Sequence, residues 1–140
     1  ILKSDIELDS NRKSRIYNNI GFCYYKLNDF ENALHFYNKA LEIDNNYFLC
    51  LNNISAVFIK QTKHKEALSY LNRAYQLDNK YIKVIFNLFV VYAKLKNRDL
   101  AKYYLEKAFK IDENYTIKRL KKNGITDKQV KKILVLLESN

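Results

Sequence analysis

The stretch Asn18–Tyr47, NNIGFCYYKLNDFENALHFYNKALEIDNNY, returns in outline 34 and then 68 residues later. Ala33, Ala67 and Ala101 hold one phase, and Ala40, Ala74 and Ala108 hold another. Asp44, Asp78 and Asp112 keep the same interval, and Tyr47, Tyr81 and Tyr115 close each unit. So many matches at one period mark an internal repeat, a single supersecondary unit used several times. The units run 14–47, 48–81 and 82–115.

Each unit carries two amphipathic runs at helical spacing. In the first, the pattern predicts a helix A over residues 14–27 and a helix B over 30–42. Asn28-Asp29 supplies the turn, because these side chains bond to local backbone and tolerate unusual φ. Thr62-Lys63 and Asn97-Arg98 take that place in the later units, and Asp44-Asn45-Asn46 offers caps for the next helix. Connections this short force neighbouring helices to run antiparallel. The paired alanines, with nothing beyond Cβ, let helix A approach helix B, while Tyr24, Leu34 and Tyr37 fill around them. Most of the twelve Tyr and eight Phe belong to that core. No unit buries its apolar face alone, so stability is shared between neighbours.

A unit of this length with paired small residues resembles the tetratricopeptide repeat family. The family's opening motif appears as Tyr17, Ile20, Gly21 and Tyr24, and its later Ala, aromatic and Ala as Ala33, Tyr37 and Ala40. The second unit departs from it at Leu51, Ser55 and Phe58, and the third at Ile85, Phe89 and Tyr92. The family's Pro near the repeat end is replaced by Asn45, Asn79 and Glu113. The resemblance implies an all-α, right-handed superhelical solenoid of antiparallel hairpins that serves as a scaffold binding other proteins.

Composition narrows the field further. A chain of 140 residues, 48% hydrophobic and 14% aromatic, is long and apolar enough to bury a continuous core. Two Gly and no Pro suit uninterrupted helices. No apolar run approaches the roughly 20 residues of a membrane span. Ile1–Ser10, with Asp5, Glu7 and Asp9, does not read as a signal peptide. Met is lacking even at position 1, which predicts a piece of a longer protein. Cys23 and Cys50 read as buried, reduced thiols of an intracellular, cytoplasmic protein. The net charge of +10 favours acidic partners, and Thr116–Asn140 holds seven Lys or Arg against two acids.

The flanks differ from the repeats. Ile1–Asp9 reads as the end of an earlier second helix, since Leu2, Ile6 and Glu7-Leu8-Asp9 echo Glu42-Ile43-Asp44. Residues 1–13 are therefore expected to be a partial preceding repeat, with one residue inserted around Ser10–Lys13. Residues 116–140 are expected to form basic capping helices: Thr116–Asn123, stopped by Gly124, then a helix opened by a Thr126/Gln129 capping box. Ile125 and Val130 sit where a hydrophobic staple belongs. Val130, Ile133, Leu134 and Leu137 would lie on the last repeat, leaving Lys128, Lys131 and Lys132 in water.

Catalytic constellations are missing from the pattern. His35 and His64 have no Cys or His at metal-ligand spacing, and Gly21 and Gly124 make no phosphate loop. Ser14, Ser55 and Ser69 have no base that the sequence assigns to them. The expectation is a non-enzyme with no cofactor and no metal.

A second recurrence is more informative. Asn19, Asn53 and Asn87 repeat at 34, as do Lys26, Lys60 and Lys94. Arg15, Asn19, Phe22 and Lys26 share one helical stripe, opposite Tyr17, Ile20 and Tyr24. The matching stripes are Leu49, Asn53, Ala56, Lys60 and Lys83, Asn87, Val90, Lys94. In the family this face of helix A lines the concave groove. A carboxamide pairs with a peptide unit's N–H and C=O together, and lysines attract carboxylate or phosphate. The expected peptide site is therefore Arg15, Asn19, Phe22, Lys26, Asn53, Lys60, Lys83, Asn87 and Lys94, with an acidic peptide as partner. A plainer reading is that Asn and Lys are abundant here and favour water.

Family members that bind chaperones clamp a C-terminal carboxylate with residues whose places here hold Asn18, Phe22, Asn53, Lys83 and Asn87. Only Asn53 and Lys83 match that clamp. Nucleic acid is the competing partner, given a pI near 9.5, although Phe22 alone on the stripe could stack a base. Self-association through apolar repeat ends is a third reading.

Overall fold

In the computed structural model, which describes residues 3–139, the repeated alanines lie where two helices meet. Ala33, Ala40, Ala67, Ala74 and Ala108 are wholly buried and Ala101 nearly so. All eight helices among the described residues are α-helices, and no strand occurs there. The chain divides into two units, Ile1–Asn79 and Lys80–Asn140.

The first unit holds two hairpins: α1 (Lys3–Lys26) with α2 (Phe30–Ile43), and α3 (Phe48–Lys60) with α4 (His64–Leu77). Ala33, Tyr37 and Ala40 of α2 form a buried cluster with Cys50, Ile54 and Val57 of α3. The second unit holds one hairpin, α5 (Ile82–Lys94) with α6 (Arg98–Ile111), followed by α7 (Glu113–Lys122) and α8 (Asp127–Glu138). Its core gathers Phe86, Leu105 and Leu120.

An aromatic pair recurs in every hairpin. Tyr24 stacks on Phe36 at 5.5 Å, Phe58 on Tyr70 at 5.6 Å, and Tyr92 on Tyr104 at 5.6 Å between ring centroids. One partner comes from the first helix and one from the second, at the repeat interval. Such pairs add about 0.5–1.5 kcal/mol beyond area burial, so each hairpin carries its own clasp.

Turns repeat too, but not wholly as expected. Asn28, Thr62 and Lys96 each adopt φ near 60°. The following amides reach back five residues: Asp29 N–H to Tyr24 C=O, Lys63 to Phe58 and Asn97 to Tyr92, at 3.0, 2.8 and 2.9 Å. This is the left-handed helix stop that glycine or asparagine normally occupies. In the third hairpin the turn is therefore Lys96-Asn97, one residue before the expected Asn97-Arg98. Asn97 caps α6 by accepting from Leu100 N–H, as Asp29 caps α2 through Asn32 N–H. Thr62 is the least suited of the three, because a β-branched side chain crowds its own backbone at positive φ. Thr62→Asn, importing the residue of the first hairpin, is expected to gain about 0.5–1 kcal/mol. Urea denaturation followed by circular dichroism measures it; an unchanged midpoint would show that the strain is relieved elsewhere.

Three further expectations need correction. The helix α1 runs unbroken from Lys3, so Ser10–Lys13 contains no turn between an earlier helix and this one. Its Asp9–Lys13 ion pair at 3.3 Å spans that very segment at helical spacing. Leu2 and the side chains of residues 5–8 lie outside the described residues. Asp44 does not cap α3. It ends α2 and accepts from Asn46 N–H at 3.1 Å, while α3 starts after Tyr47 without a side-chain cap. In the same register Asp112 accepts from Tyr115 N–H at 2.9 Å, so α7 begins at Glu113 rather than Thr116.

The thiols also differ from each other. Cys50 is buried and donates to the Tyr37 carbonyl at 3.3 Å. Burial, with Asp44 nearby, pushes it up to about 12, leaving an inert thiol. Cys23 is exposed, contrary to expectation. Its counterpart Val57 packs against α2, and α1 has no such helix in front of it among the described residues. Ile16 and Leu27 on the same side are 55% and 74% exposed for the same reason.

At the other end the expected devices appear. Gly124, at φ +89°, follows α7, and Ile125 N–H reaches back to Leu120 C=O at 3.0 Å. Thr126 and Gln129 form the reciprocal capping box. Val130 is buried, and Lys128, Lys131 and Lys132 are exposed.

Candidate functional site

The side of α1 turned away from α2 presents Arg15, Asn19, Phe22 and Lys26, all exposed. They follow one another by four, three and four residues, so the helix itself aligns them. The Lys26 ammonium sits 5.5 Å from the Phe22 ring centroid, and Phe22 stacks on Tyr25 at 6.3 Å. The stripe therefore combines cations, a carboxamide and an aromatic face without burying any of them.

On α3 the matching residues are more enclosed. Leu49, Asn53 and Ala56 are half-buried and Lys60 is exposed. The Asn53 side-chain amide donates to the Asn18 carboxamide oxygen at 2.9 Å, a bond between the two hairpins of this unit. Asn18 is itself buried and also bonds the Tyr47 side chain. Burial raises the Tyr47 phenol, aided by Cys50, while Arg15 and the Asn18 bond work the other way. Asn53 is thus held from behind, and its orientation is set by a neighbour that the stripe does not include. The signal for this was the doublet Asn18-Asn19, repeated as Asn52-Asn53, whose first members are both buried.

In the second unit, α5 exposes Lys83 and Lys94 at either end. Val90 packs on the Phe86, Leu105 and Leu120 cluster. Asn87 is only 8% exposed, within five consecutive buried residues from Val84 to Leu88. Helical periodicity placed it on a polar stripe, but that turn of α5 is covered on every side. Its carboxamide therefore offers a ligand much less than Asn19 does.

Apart from these stripes, Glu106, Phe109, Lys110, Glu113, Leu134, Leu137 and Glu138 line a cleft of about 390 Å³ in the second unit. It shares no residue with them. Among the described residues no group of three His, Cys, Asp or Glu is placed to hold a metal ion. No described helix is long and apolar enough to cross a membrane.

Comparison with known proteins agrees with this geometry. A tetratricopeptide repeat family model matches residues 14–80, and a second model of the same description matches residues 83–115. The Arabidopsis OM64 TPR domain superposes with a TM-score of 0.71 at 19% identity, covering 81% of this chain and 98% of that one. The first TPR of Spaghetti (RPAP3), solved bound to the HSP90 peptide SRMEEVD, gives 0.73 at 21% identity, covering 79% and 92%. At such identities the likeness shows the fold alone. The uncharacterized protein ycf37 of Porphyra purpurea is 36% identical over 55 residues, covering 36% of this chain. The match takes in 32% of that relative, about a third of its length.

Proposed function

This chain belongs to the tetratricopeptide repeat family, and from that premise we propose that it is a non-catalytic scaffold for protein–protein interaction. Its ligand is an extended, acidic peptide segment laid along α1 and α3, the first helices of the two hairpins of the first unit. The observation that carries this reading is the open stripe on α1, Arg15, Asn19, Phe22 and Lys26, which the core does not use. Asn19 and Asn53 hold the peptide backbone, and Phe22 gives apolar contact. Arg15, Lys26 and Lys60 attract its carboxylates, and Lys83 and Lys94 offer the same chemistry on α5 of the second unit. Asn87, being buried, contributes through its neighbours more than by direct contact.

The Spaghetti structure holds an acidic peptide, which is the chemistry these cations suit. A clamp for a terminal carboxylate is not part of the proposal, because Asn18, Phe22 and Asn87 stand where its other members belong. Modest contacts from few residues give a micromolar dissociation constant, about −8 kcal/mol.

Fluorescence anisotropy with a labelled peptide rich in Asp and Glu tests the reading. Asn19→Ala combined with Asn53→Ala is expected to weaken binding about tenfold, with helicity unchanged. Binding equal to the parent would remove the carboxamides from the mechanism. A second reading, self-association, is favoured by the exposure of Ile16 and Leu27 beside the stripe. Sedimentation at several concentrations distinguishes it, because a peptide receptor of this kind stays at one mass.

A further inference from the structure

The last helix has a face that the fold leaves unused. On α8, Lys128, Lys131, Lys132 and Val135 are spaced by three, one and three residues, so they form one stripe with Leu136 beside it. All five are exposed; Val135 and Leu136 keep 64% and 57% of their surface in water. The opposite stripe is committed to the core: Val130 is 4% exposed, and Ile133 packs on the Phe86, Leu105 and Leu120 cluster. Leu134 and Leu137 line the cleft beside Phe109.

The charges sort in the same way. Arg119 lies over Phe86 at 5.1 Å and Tyr115 at 5.9 Å, and Lys121 pairs with Asp127, so both serve the fold. Lys118 and Lys122 on α7 stay exposed next to the α8 lysines in sequence. The acids do not balance them. Asp127 is held chiefly by Lys121, with Lys131 adding a weaker attraction, which keeps its carboxyl below the usual range, and Glu138 lies on the cleft side.

We propose that this outward face of α8 docks on an anionic lipid bilayer. Lysines are hydrated point charges on long flexible stems, suited to a fluid layer of anionic headgroups rather than to one fixed acceptor. Val135 and Leu136, one turn beyond the lysines, reach the acyl boundary as the lysines meet the headgroups. A nucleic acid backbone would use the lysines but has no use for two exposed aliphatics, and this face offers no aromatic for stacking. Attachment of this kind needs no spanning helix.

Flotation of the full chain with phosphatidylcholine vesicles, with and without phosphatidylserine, tests the assignment. Binding is expected only with phosphatidylserine, and it should fall as salt rises because exposed charges are screened. Lys128→Gln, Lys131→Gln and Lys132→Gln together are expected to weaken it roughly a hundredfold. Val135→Ser with Leu136→Ser should weaken it about tenfold while leaving the salt dependence in place. All five positions are exposed, so circular dichroism of each variant should match the parent. Equal flotation with both vesicle types overturns the proposal, as does undiminished binding by the glutamine variant. Preference for a single-stranded RNA oligomer, insensitive to the serine changes, overturns it in favour of nucleic acid.

Discussion

Replacing Tyr37 with Ala is expected to remove about 3–5 kcal/mol of stability, a large share of what a domain this size possesses. Tyr37 is wholly buried and stands at the centre of the cluster formed by Ala33, Ala40, Cys50, Ile54 and Val57. It touches both hairpins of the first unit: its ring lies against Gly21 of α1, and its carbonyl accepts from Cys50 of α3. An alanine there leaves a cavity whose walls belong to three helices, which limits collapse. Its hydroxyl is a different matter, because it finds no hydrogen-bond partner among the described residues. Burial drives its ionisation far above the ordinary tyrosine value. Tyr37→Phe, which deletes that orphaned group and keeps the ring, is therefore expected to be neutral or to gain about 1 kcal/mol. Urea denaturation of the parent and both variants separates ring from hydroxyl. A loss below about 1 kcal/mol for the alanine variant would mean that this core is not organised around Tyr37.

The repeat is what made the fold legible. Ala33, Ala67 and Ala101 could be assigned to helix contacts because three copies of one position average out accidents of composition. Boundaries were read well where the chemistry was local, as at the Thr126 and Gln129 capping box, whose partners are three residues apart. They were misread where a backbone conformation decides. Lys96 takes the left-handed turn position although lysine has no special tolerance for it, and the more plausible Asn97 caps α6 instead. The continuity of α1 through Ser10–Lys13 was also hidden, since an echo of Glu42-Ile43-Asp44 in Glu7-Leu8-Asp9 suggested a boundary.

Site residues were harder still. Periodicity defines which side of a helix a residue occupies but not what stands in front of that side. Asn19, Asn53 and Asn87 share one phase and yet are exposed, half-buried and buried in turn. Cys23 and Val57 share another, and Val57 is buried in the cluster with α2 while Cys23 is exposed. The stacked pairs Tyr24–Phe36, Phe58–Tyr70 and Tyr92–Tyr104 were present as a recurrence in the sequence. They are less legible than the alanines because tyrosine and phenylalanine exchange there, so neither position keeps one residue type in all three units.

Gly21→Val is expected to cost about 3 kcal/mol, and even Gly21→Ala should lose roughly 1–2 kcal/mol, although alanine is the better helix former by about 1. A Cβ at this position would meet Tyr37 Cδ1 at 2.6 Å and Cε1 at 2.7 Å, with the Ala33 carbonyl oxygen at 3.1 Å. The obstacle is a buried aromatic ring rather than the loose end of a side chain, so α1 and α2 must separate or the ring must tilt. The second hairpin shows how the same register accommodates a larger residue. There Ser55 replaces the glycine and Leu71 the tyrosine, both wholly buried, and Ser55 Oγ donates to the Asn52 carbonyl at 2.6 Å. Gly21→Ser alone should therefore destabilise, while Gly21→Ser with Tyr37→Leu should recover most of the loss. The double-mutant cycle ought to show a coupling of about 1–3 kcal/mol between these contacting sites. Additive losses would mean that glycine is required at position 21 for a reason other than the Tyr37 ring, such as the approach of the Ala33 backbone.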